Sequence, residues 1–311
     1  MNSSTFKVAA VQASPVFLDL DATVEKACAL IGDAASKGAR LVVFPECFLP
    51  GYPLWCWRIA AGESKVLRKL YAELLASSVT IPSDAVTRLR DAARENDTTV
   101  VMGINERNSE ASKTTLYNSL LYIGAGGEIL GKHRKLVPTG GERLVYGQGD
   151  GSTLDVFELP IGRLGGLICW ENYMPLARYT MYATGVQLYV APTWDNGEPW
   201  LSTLRHIAKE GRAWVIGCCS VMRKSDVPAR LGLGDYLKQG GDWINPGDSM
   251  IVDPDGKVAA GPLHEEEGIL YAEVDPATLT GPRSQLDVAG HYARPDVFTL
   301  RVNREERKIL E

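Results

Sequence analysis

Short apolar runs alternate with helix-like stretches along most of this chain, and this alternation restricts the fold more than any other feature of the sequence. Residues 7–12 form an apolar run, residues 22–36 carry an amphipathic pattern with helical spacing, and residues 40–44 are apolar again. A strand, a helix and a second strand in that order form a βαβ unit. The sequence therefore predicts an α/β fold.

The same alternation continues toward the C-terminus. Further elements are predicted from the same patterns: helices at 85–95, 175–183 and near 200–211, and strands at 99–104, 116–123, before Gly131, after Leu154, and at 164–168, 187–191 and 213–220. The turn Asp253-Pro-Asp-Gly256 between two apolar runs predicts a hairpin, 250–252 with 258–260, which the strand 268–274 follows. No linker rich in Pro, Gly or Ser divides the chain, so we expect one domain over residues 1–311.

Residues 224–247 interrupt this pattern, because they are rich in glycine and aspartate and have weak periodicity. They predict a long surface loop or an oligomer contact, with disorder as the alternative.

Charge and cysteine content exclude several classes of partner. The net charge is −5, and lysine and arginine are scattered singly or in pairs, so no basic patch for nucleic acid or anionic lipid is predicted. No apolar run reaches membrane-spanning length, and residues 1–7 lack the pattern of a signal peptide. The six cysteines have neither the density of a disulfide scaffold nor a zinc-binding spacing. We therefore expect a cytoplasmic protein with reduced thiols that acts on a small or neutral molecule.

Three segments place reactive side chains where apolar strands end, which is where α/β sheets usually build their sites. In the first, an apolar run from Arg40 leads into Phe44-Pro-Glu46. An apolar setting would raise the pKa of Glu46 and make it a usable general base. For a lone glutamate, a solvated loop position is the more common alternative.

The second segment, Gly131-Lys-His-Arg-Lys135-Leu-Val-Pro-Thr-Gly-Gly-Glu142, combines several cations with a second carboxylate. By itself a basic run is more often a solvated face. The third segment ends an apolar strand at Cys169, directly before a helix start. There a thiol can gain thiolate character from a cation and from N–H dipoles, although a lone cysteine is more often buried and inert. The three segments together provide a base, a cation and a nucleophile.

These segments closely resemble the signature motifs of the nitrilase superfamily, and specifically of its nitrilase branch. The motifs are Phe44-Pro-Glu46, His133-Arg-Lys135-Leu-Val-Pro-Thr and Cys169-Trp-Glu-Asn-Tyr-Met-Pro, in the family's order. Further similarity covers nearly the whole chain and includes Pro50-Gly-Tyr-Pro53, Val145-Tyr-Gly-Gln-Gly-Asp-Gly151 and Val190-Ala-Pro-Thr-Trp-Asp195.

The resemblance implies a four-layer αββα sandwich and a set of catalytic residues. Glu46 would be the general base, Lys135 the cation that stabilises the tetrahedral species, Cys169 the nucleophile and Glu142 a second carboxylate that orients the lysine and the attacking groups. One departure is Gly140-Gly141, where related nitrilases often carry aromatic or histidine residues. Two glycines there predict a wider or looser pocket.

The implied reaction converts a small organic nitrile to a carboxylic acid and ammonia through a thioimidate and a thioester on Cys169, without a metal or organic cofactor. The Trp170 backbone N–H would assist Lys135 in stabilising the developing charge.

The alternatives are an amidase or carbamoylase on the same fold, which the residues after Cys169 disfavour, and an enzyme that hydrolyses cyanide. A nucleotide-binding oxidoreductase is disfavoured because Gly124-Ala-Gly126-Gly127 lacks the required spacing. A catalytically silent scaffold is disfavoured by the intact motif residues.

Aromatic side chains cluster near the motifs, and binding pockets are commonly apolar with a few polar groups. We expect Tyr52, Trp57, Trp170 and Trp194 to line the substrate pocket, with core packing as the alternative for each aromatic residue, including Trp55 and Trp200.

The resemblance and the apolar stretch 174–182 also imply a homodimer or a larger homo-oligomer. Many family members have longer tails than the one after residues 304–308 here, and this departure argues against the spiral form of assembly that such members adopt.

Overall fold

The computed structural model describes residues 5–110, 112–308 and 310, and within them the strands form two sheets. The strands are β1 (Phe6–Gln12), β2 (Ala39–Val43), β3 (Thr99–Arg107), β4 (Leu116–Ile123), β5 (Ile129–Arg134), β6 (Phe157–Leu159), β7 (Gly162–Gly166), β8 (Leu188–Thr193), β9 (Trp214–Cys219), β10 (Val221–Arg223), β11 (Trp243–Val252), β12 (Val258–His264) and β13 (Gly268–Val274).

The first sheet has the order β13-β1-β2-β3-β4-β5, with β1, β2 and β3 parallel to one another. The second has the order β10-β11-β9-β8-β7-β6, with β12 paired to β11 and with β7, β8 and β9 parallel. After the β11–β12 hairpin, β13 returns to the first sheet and pairs with β1. The predicted hairpin and the strand that follows it are therefore confirmed.

The α-helices of the described residues are α1 (Leu20–Ser36), α2 (Ser64–Ala76), α3 (Asp84–Glu95), α4 (Pro175–Ala183), α5 (Glu198–Gly211) and α6 (Thr280–Gln285). Of these, α1, α3, α4 and α5 cover the outer faces of the sheets. Local chemistry explains several helix starts. Asp19 and Ser83 accept hydrogen bonds from the first turns of α1 and α3, and Pro175 opens α4, where its missing N–H costs nothing.

Three hydrophobic clusters define the layers. One packs α1 and α3 on the outer face of the first sheet, and another packs α4 and α5 on the outer face of the second. The third lies between the sheets and combines Val8, Leu41 and Val101 from the first with Leu188 and Ile216 from the second. Such layering buries one face of each helix and both faces of each central strand. The predicted αββα sandwich is confirmed.

The structure differs from the sequence prediction in residues 224–247 and in three elements that the sequence patterns did not indicate. Residues 224–247 are not simply a surface loop, because Leu231, Leu233 and Leu237 are buried and the last part of the segment belongs to β11. The helices α2 and α6 and the short strand β10 were not predicted. No helix in the described ranges is long and apolar enough to cross a membrane. Residues 1–4, on which the signal-peptide interpretation partly rests, lie outside the described ranges.

Candidate active site

Glu46 follows β2 at the edge where the parallel strands of the first sheet end. Its side chain is fully buried, so the solvated alternative is wrong. The backbone of Gly103 on β3 packs closely against the turn that contains Pro45, since a Cβ on Gly103 would lie 1.9 Å from the Pro45 carbonyl oxygen. Only glycine fits at position 103, and this close packing fixes the backbone position from which the Glu46 side chain extends.

Lys135 lies between two carboxylates. Its Nζ atom is 2.8 Å from Glu46 Oε1 and 2.8 Å from Glu142 Oε2, and all three side chains are at most 1% exposed. The basic run is thus not a solvated face at this position. Because water is excluded, the charges interact strongly, and one cation serves two anions.

Glu142 lies in a short 3-10 turn, Gly140–Leu144, which Thr139 caps. The Thr139 backbone N–H donates to Glu142 Oε2 at 2.8 Å, and the Tyr52 hydroxyl donates to Glu142 Oε1 at 2.6 Å. These donors, together with Lys135, satisfy both carboxylate oxygens.

Cys169 begins a 3-10 turn, Cys169–Tyr173, just after β7 and before α4. Its φ of 51° is a left-handed conformation that a residue with a side chain rarely adopts. The Thr193 hydroxyl donates to its Sγ atom at 3.2 Å. The strained backbone and the hydrogen bond together set the position of the thiol.

Electrostatics correct one expectation about this thiol. Burial raises the pKa of Cys169, Glu46 and Glu142 raise it further, and Lys135 lowers it too little to compensate. The predicted thiolate character is therefore wrong for the resting site, because the thiol keeps its proton. An attacking cysteine here needs a base.

Glu46 and Lys135 both have raised pKa values, but a raised pKa disfavours the charged form of Glu46 and favours the charged form of Lys135. Burial raises the pKa of Glu46, and the opposing effect of Lys135 does not cancel it. Burial lowers the pKa of Lys135, but Glu46, Cys169 and Glu142 outweigh it and hold the pKa well above its ordinary value. Lys135 is therefore a permanent cation, and Glu46 is a stronger base than an ordinary carboxylate.

A cavity of about 270 Å³ opens above Cys169 and Glu142. The predicted pocket residues Tyr52, Trp57, Trp170 and Trp194 all line it, together with Thr139, Asp195 and Asn196. Tyr52 and Trp194 stack with ring centroids 4.4 Å apart, while Trp57 and Trp170 are each half-exposed at the mouth. The other aromatic candidates, Trp55 and Trp200, are buried in the core.

The glycine pair at 140 and 141 does not leave open space. A Cβ on Gly140 would lie 2.7 Å from the Trp57 ring, and one on Gly141 would lie 2.1 Å from the Cys56 carbonyl oxygen. Trp57 and the chain beside it fill the space that side chains at 140 and 141 would occupy, and a pocket wider or looser than that of related nitrilases stays a prediction.

Sequence reasoning missed two residues that contact the reactive groups. Asn118 on β4 donates to Glu46 Oε1 at 2.7 Å, and Thr193 at the end of β8 donates to Cys169. The backbone N–H of Trp194, predicted only as a pocket wall, donates to Glu46 Oε2 at 2.7 Å. A buried polar residue within an apolar strand was the available signal for Asn118.

Within residues 5–110, 112–308 and 310, no group of three or more His, Cys, Asp or Glu side chains is arranged to hold a metal ion. The chemistry that this arrangement can perform is nucleophilic attack by a thiol, with an adjacent base and an adjacent cation.

Comparison with known proteins agrees with this arrangement. The model of the carbon-nitrogen hydrolase family matches residues 7–283, and the chain belongs to that family. It is 42% identical over 317 residues to Nitrilase 1 of Arabidopsis thaliana, covering 99% of this chain and 90% of that protein. It is 43% identical over 307 residues to an aliphatic nitrilase of Sinorhizobium fredii (strain HH103), covering 98% of each. The predicted membership of the nitrilase branch is confirmed.

The fold is also found among solved structures. Nit3 of Saccharomyces cerevisiae, a member of branch 10 of the nitrilase superfamily, superposes with a TM-score of 0.72 at 23% identity, covering 93% of this chain and 96% of that one. At that identity the likeness concerns the fold alone.

Proposed function

We propose that this protein is a nitrilase that converts a small organic nitrile to a carboxylic acid and ammonia, with Cys169 as the nucleophile. The observation that carries the proposal is the buried Glu46–Lys135–Glu142 cluster, whose Glu142 lines the same cavity as Cys169. A base, a cation and a thiol at one site are what attack on an unactivated carbon–nitrogen triple bond requires.

In the first step, Glu46 takes the thiol proton as the sulfur attacks the nitrile carbon. Negative charge develops on the nitrile nitrogen, which Lys135 and the Trp170 backbone N–H stabilise, and Glu46 passes the thiol proton to that nitrogen, which gives a thioimidate and restores the carboxylate. One well-placed donor contributes about 3 kcal/mol to such a step. Since the pKa of Glu46 is raised, it accepts the thiol proton more readily than an exposed glutamate would.

In the second step, a water that Glu46 deprotonates adds to the thioimidate carbon. The nitrogen receives the water proton through Glu46 and the proton of the added hydroxyl, leaves as ammonia, and a thioester remains. A second water attacks the thioester, releases the acid and returns the proton to the Cys169 sulfur. Glu142, bonded to Lys135 and Tyr52, keeps the lysine ammonium aimed at the reacting atoms. The proposed reaction is complete without a cofactor.

The test is ammonia release from a panel of aliphatic, aromatic and arylacetic nitriles, with acid and amide products separated. The wild-type protein should give mainly acid, and Cys169→Ala should give none while remaining folded. Cys28→Ala is the matched control, because Cys28 is a half-buried thiol on α1. Turnover by Cys169→Ala at the rate of the control would overturn the assignment, and release of ammonia from amides but not from nitriles would favour an amidase.

The cavity supports a neutral substrate of modest size. Its walls are mainly aromatic, and its charged lining residues, Glu142 and Asp195, are both acidic. An anionic nitrile should therefore be a poorer substrate than a neutral one of the same length.

We also propose that the protein forms a homodimer or a larger homo-oligomer through α4. Leu176 on this helix is 67% exposed, and Tyr292, Val297 and Phe298 of the C-terminal segment are more than half exposed beside it. Apolar surface of this kind commonly marks an interface between subunits. Light scattering should show dissociation for Leu176→Asp and not for Val258→Asp, which alters an exposed valine on β12. A fully active monomer at all concentrations would refute the link.

We also propose that residues 1–311 act as one domain and that the protein resides in the cytoplasm. The shared core between the sheets supports the first. The six free cysteines support the second, since thiols persist in reducing compartments.

A further inference from the structure

Glu171 lies two residues after Cys169, and the mechanism above does not use it. Its side chain is buried at 1% exposure. One oxygen, Oε2, accepts a hydrogen bond from the Ile168 backbone N–H at 2.8 Å, and the other, Oε1, accepts one from the Leu136 backbone N–H at 2.6 Å. Ile168 directly precedes Cys169, and Leu136 directly follows Lys135. One carboxylate therefore joins the backbone beside the nucleophile to the backbone beside the cation.

His133 completes this arrangement. Its Nε2 atom lies 3.1 Å from Glu171 Oε2 and 3.2 Å from Oε1, and its Nδ1 atom lies 3.1 Å from the Thr153 carbonyl oxygen. Burial lowers the pKa of His133, but Glu171 outweighs it and the net pKa is raised. The histidine is thus held from both sides of its ring.

We propose that Glu171, held in place by His133, is a positioning residue that sets the distance between the Lys135 ammonium and the Cys169 thiol. This inference rests on the proposed function, because it assigns a structural cause to the cooperation of those two groups. Glu171 contacts neither substrate nor reacting atoms, and acts only through the two backbone segments that it joins.

A carboxylate suits this position because it only accepts hydrogen bonds and can receive several at once. Three donors converge on Glu171: two backbone N–H groups and one imidazole N–H. In a Gln side chain one oxygen becomes an NH₂ group, which would face an N–H donor and push one of the two segments away. The substitution keeps the volume of the side chain and breaks the link.

The first measurement is turnover of a good nitrile by Glu171→Gln. Misplacing a reacting group by about 1 Å can cost about 100-fold in rate, so kcat should fall by about that factor with little change in KM. Glu106→Gln is the matched control, because Glu106 is also buried and paired with cations from β5 but touches neither Leu136 nor Ile168. Its kcat should stay close to the wild-type value.

The second measurement needs no nitrile: the pH profile of Cys169 alkylation by iodoacetamide. Lys135 lowers the pKa of Cys169, so moving the two apart should raise that pKa and slow alkylation at neutral pH. Loss of the Glu171 charge without movement would act in the opposite direction, because removing an anion favours the thiolate. The direction of the shift therefore separates positioning from simple electrostatics.

His133→Gln is the second variant, for use if Glu171→Gln does not fold. Its side-chain amide can still donate to Glu171, so the kcat loss and the alkylation shift should have the same direction but a smaller size. A folded Glu171→Gln protein with the control's kcat, or with a lowered or unchanged alkylation pKa, would overturn the proposal. Absence of nitrile hydrolysis by the wild-type protein would instead overturn the proposed function and leave the alkylation test standing.

Discussion

The basic run Lys132-His-Arg-Lys135 contributes to two charge clusters, and the ratio of cations to carboxylates is opposite in the two. Lys132 and Arg134 point to one side and bind Glu106, while His133 and Lys135 point to the other, where Lys135 meets Glu46 and Glu142. Successive side chains of an extended strand face opposite sides, so β5 and the residue after it divide the run in two. One cluster has two cations for one carboxylate, and the other has one cation for two.

The difference in composition gives the carboxylates different chemistry. Burial raises the pKa of Glu106, but Arg134 and Lys132 outweigh it and the net pKa is lowered. For Glu46 the single lysine is shared with Glu142, and the net pKa is raised. A surplus of cations makes a stable ion pair, whereas a surplus of carboxylates makes a base. The ratio of cations to carboxylates, rather than the presence of charges, distinguishes the site from the scaffold.

The largest expected effect is that of removing the shared cation. Lys135→Met leaves two buried carboxylates uncompensated, which should destabilise the fold by roughly 3–5 kcal/mol and abolish measurable turnover. Lys132→Met leaves Arg134 on Glu106 and removes a partly exposed charge, so its cost should be below about 1 kcal/mol. Urea unfolding at pH 7 and nitrile turnover measure both. Equal losses for the two variants would break the comparison.

The next effect concerns acid stability. Because the pKa of Glu106 in the folded protein lies below its ordinary value of 4.5, its ion pairs stabilise the fold above that pH and are lost as the pH falls. Glu106→Gln should lower the free energy of unfolding by about 1–3 kcal/mol at pH 7, and the difference from wild type should shrink below pH 4.5. Urea titrations at several pH values test this. A difference that grew on acidification would contradict the sign.

A smaller effect should appear at the thiol. Glu46 raises the pKa of Cys169, so Glu46→Gln should lower it and speed alkylation by iodoacetamide at pH 7 by about tenfold, which corresponds to one pKa unit. Nitrile turnover should fall in the same variant. The control Glu106→Gln should leave the alkylation profile unchanged. Slower alkylation of Glu46→Gln would mean that its carboxylate does not disfavour the thiolate.

The smallest effect is expected at the cavity mouth. Gly140→Ala and Gly232→Ala both place a side chain at positive φ, with strain of about 1–2 kcal/mol each. Only at Gly140 does the new Cβ meet a ring, that of Trp57. Both variants should lose similar stability, but only Gly140→Ala should change KM. Matching Michaelis constants would show that Trp57 does not shape substrate binding.

The sequence was sufficient for much of the fold. The predicted strand 116–123 and helix 175–183 coincide with β4 and α4, because their apolar periodicity and their turns are local signals. Helix α2 was missed although Val66, Leu70 and Leu74 recur at helical spacing. The predicted strand before Gly131 ended too early, since β5 continues to Arg134. Without that extension, the alternation that divides the basic run could not be applied.

The site was predictable in its residue types but not in its contacts. Glu46, Lys135, Glu142 and Cys169 were named from motifs, yet the sharing of one lysine by two carboxylates depends on tertiary packing. The donors from Asn118 and Thr193 come from strands far away in the chain. The pKa of Cys169 was wrongly anticipated because burial and two nearby carboxylates outweigh one cation, a balance that no local pattern contains.

Whether Glu46 is the base and Glu142 the orienting carboxylate is tested most directly by intact-mass spectrometry of folded Glu46→Gln and Glu142→Gln mixed with a good nitrile. Glu46→Gln keeps the side-chain shape but cannot accept the thiol proton, so little or no adduct should form on Cys169. We propose that Glu142 orients both Lys135 and the attacking water, which matters most once water must be placed against the covalent intermediate. Glu142→Gln should therefore still acylate but release product poorly, so an adduct should accumulate. The reverse pattern would mean that the two roles are exchanged, and brisk turnover by both variants would mean that neither carboxylate is catalytic.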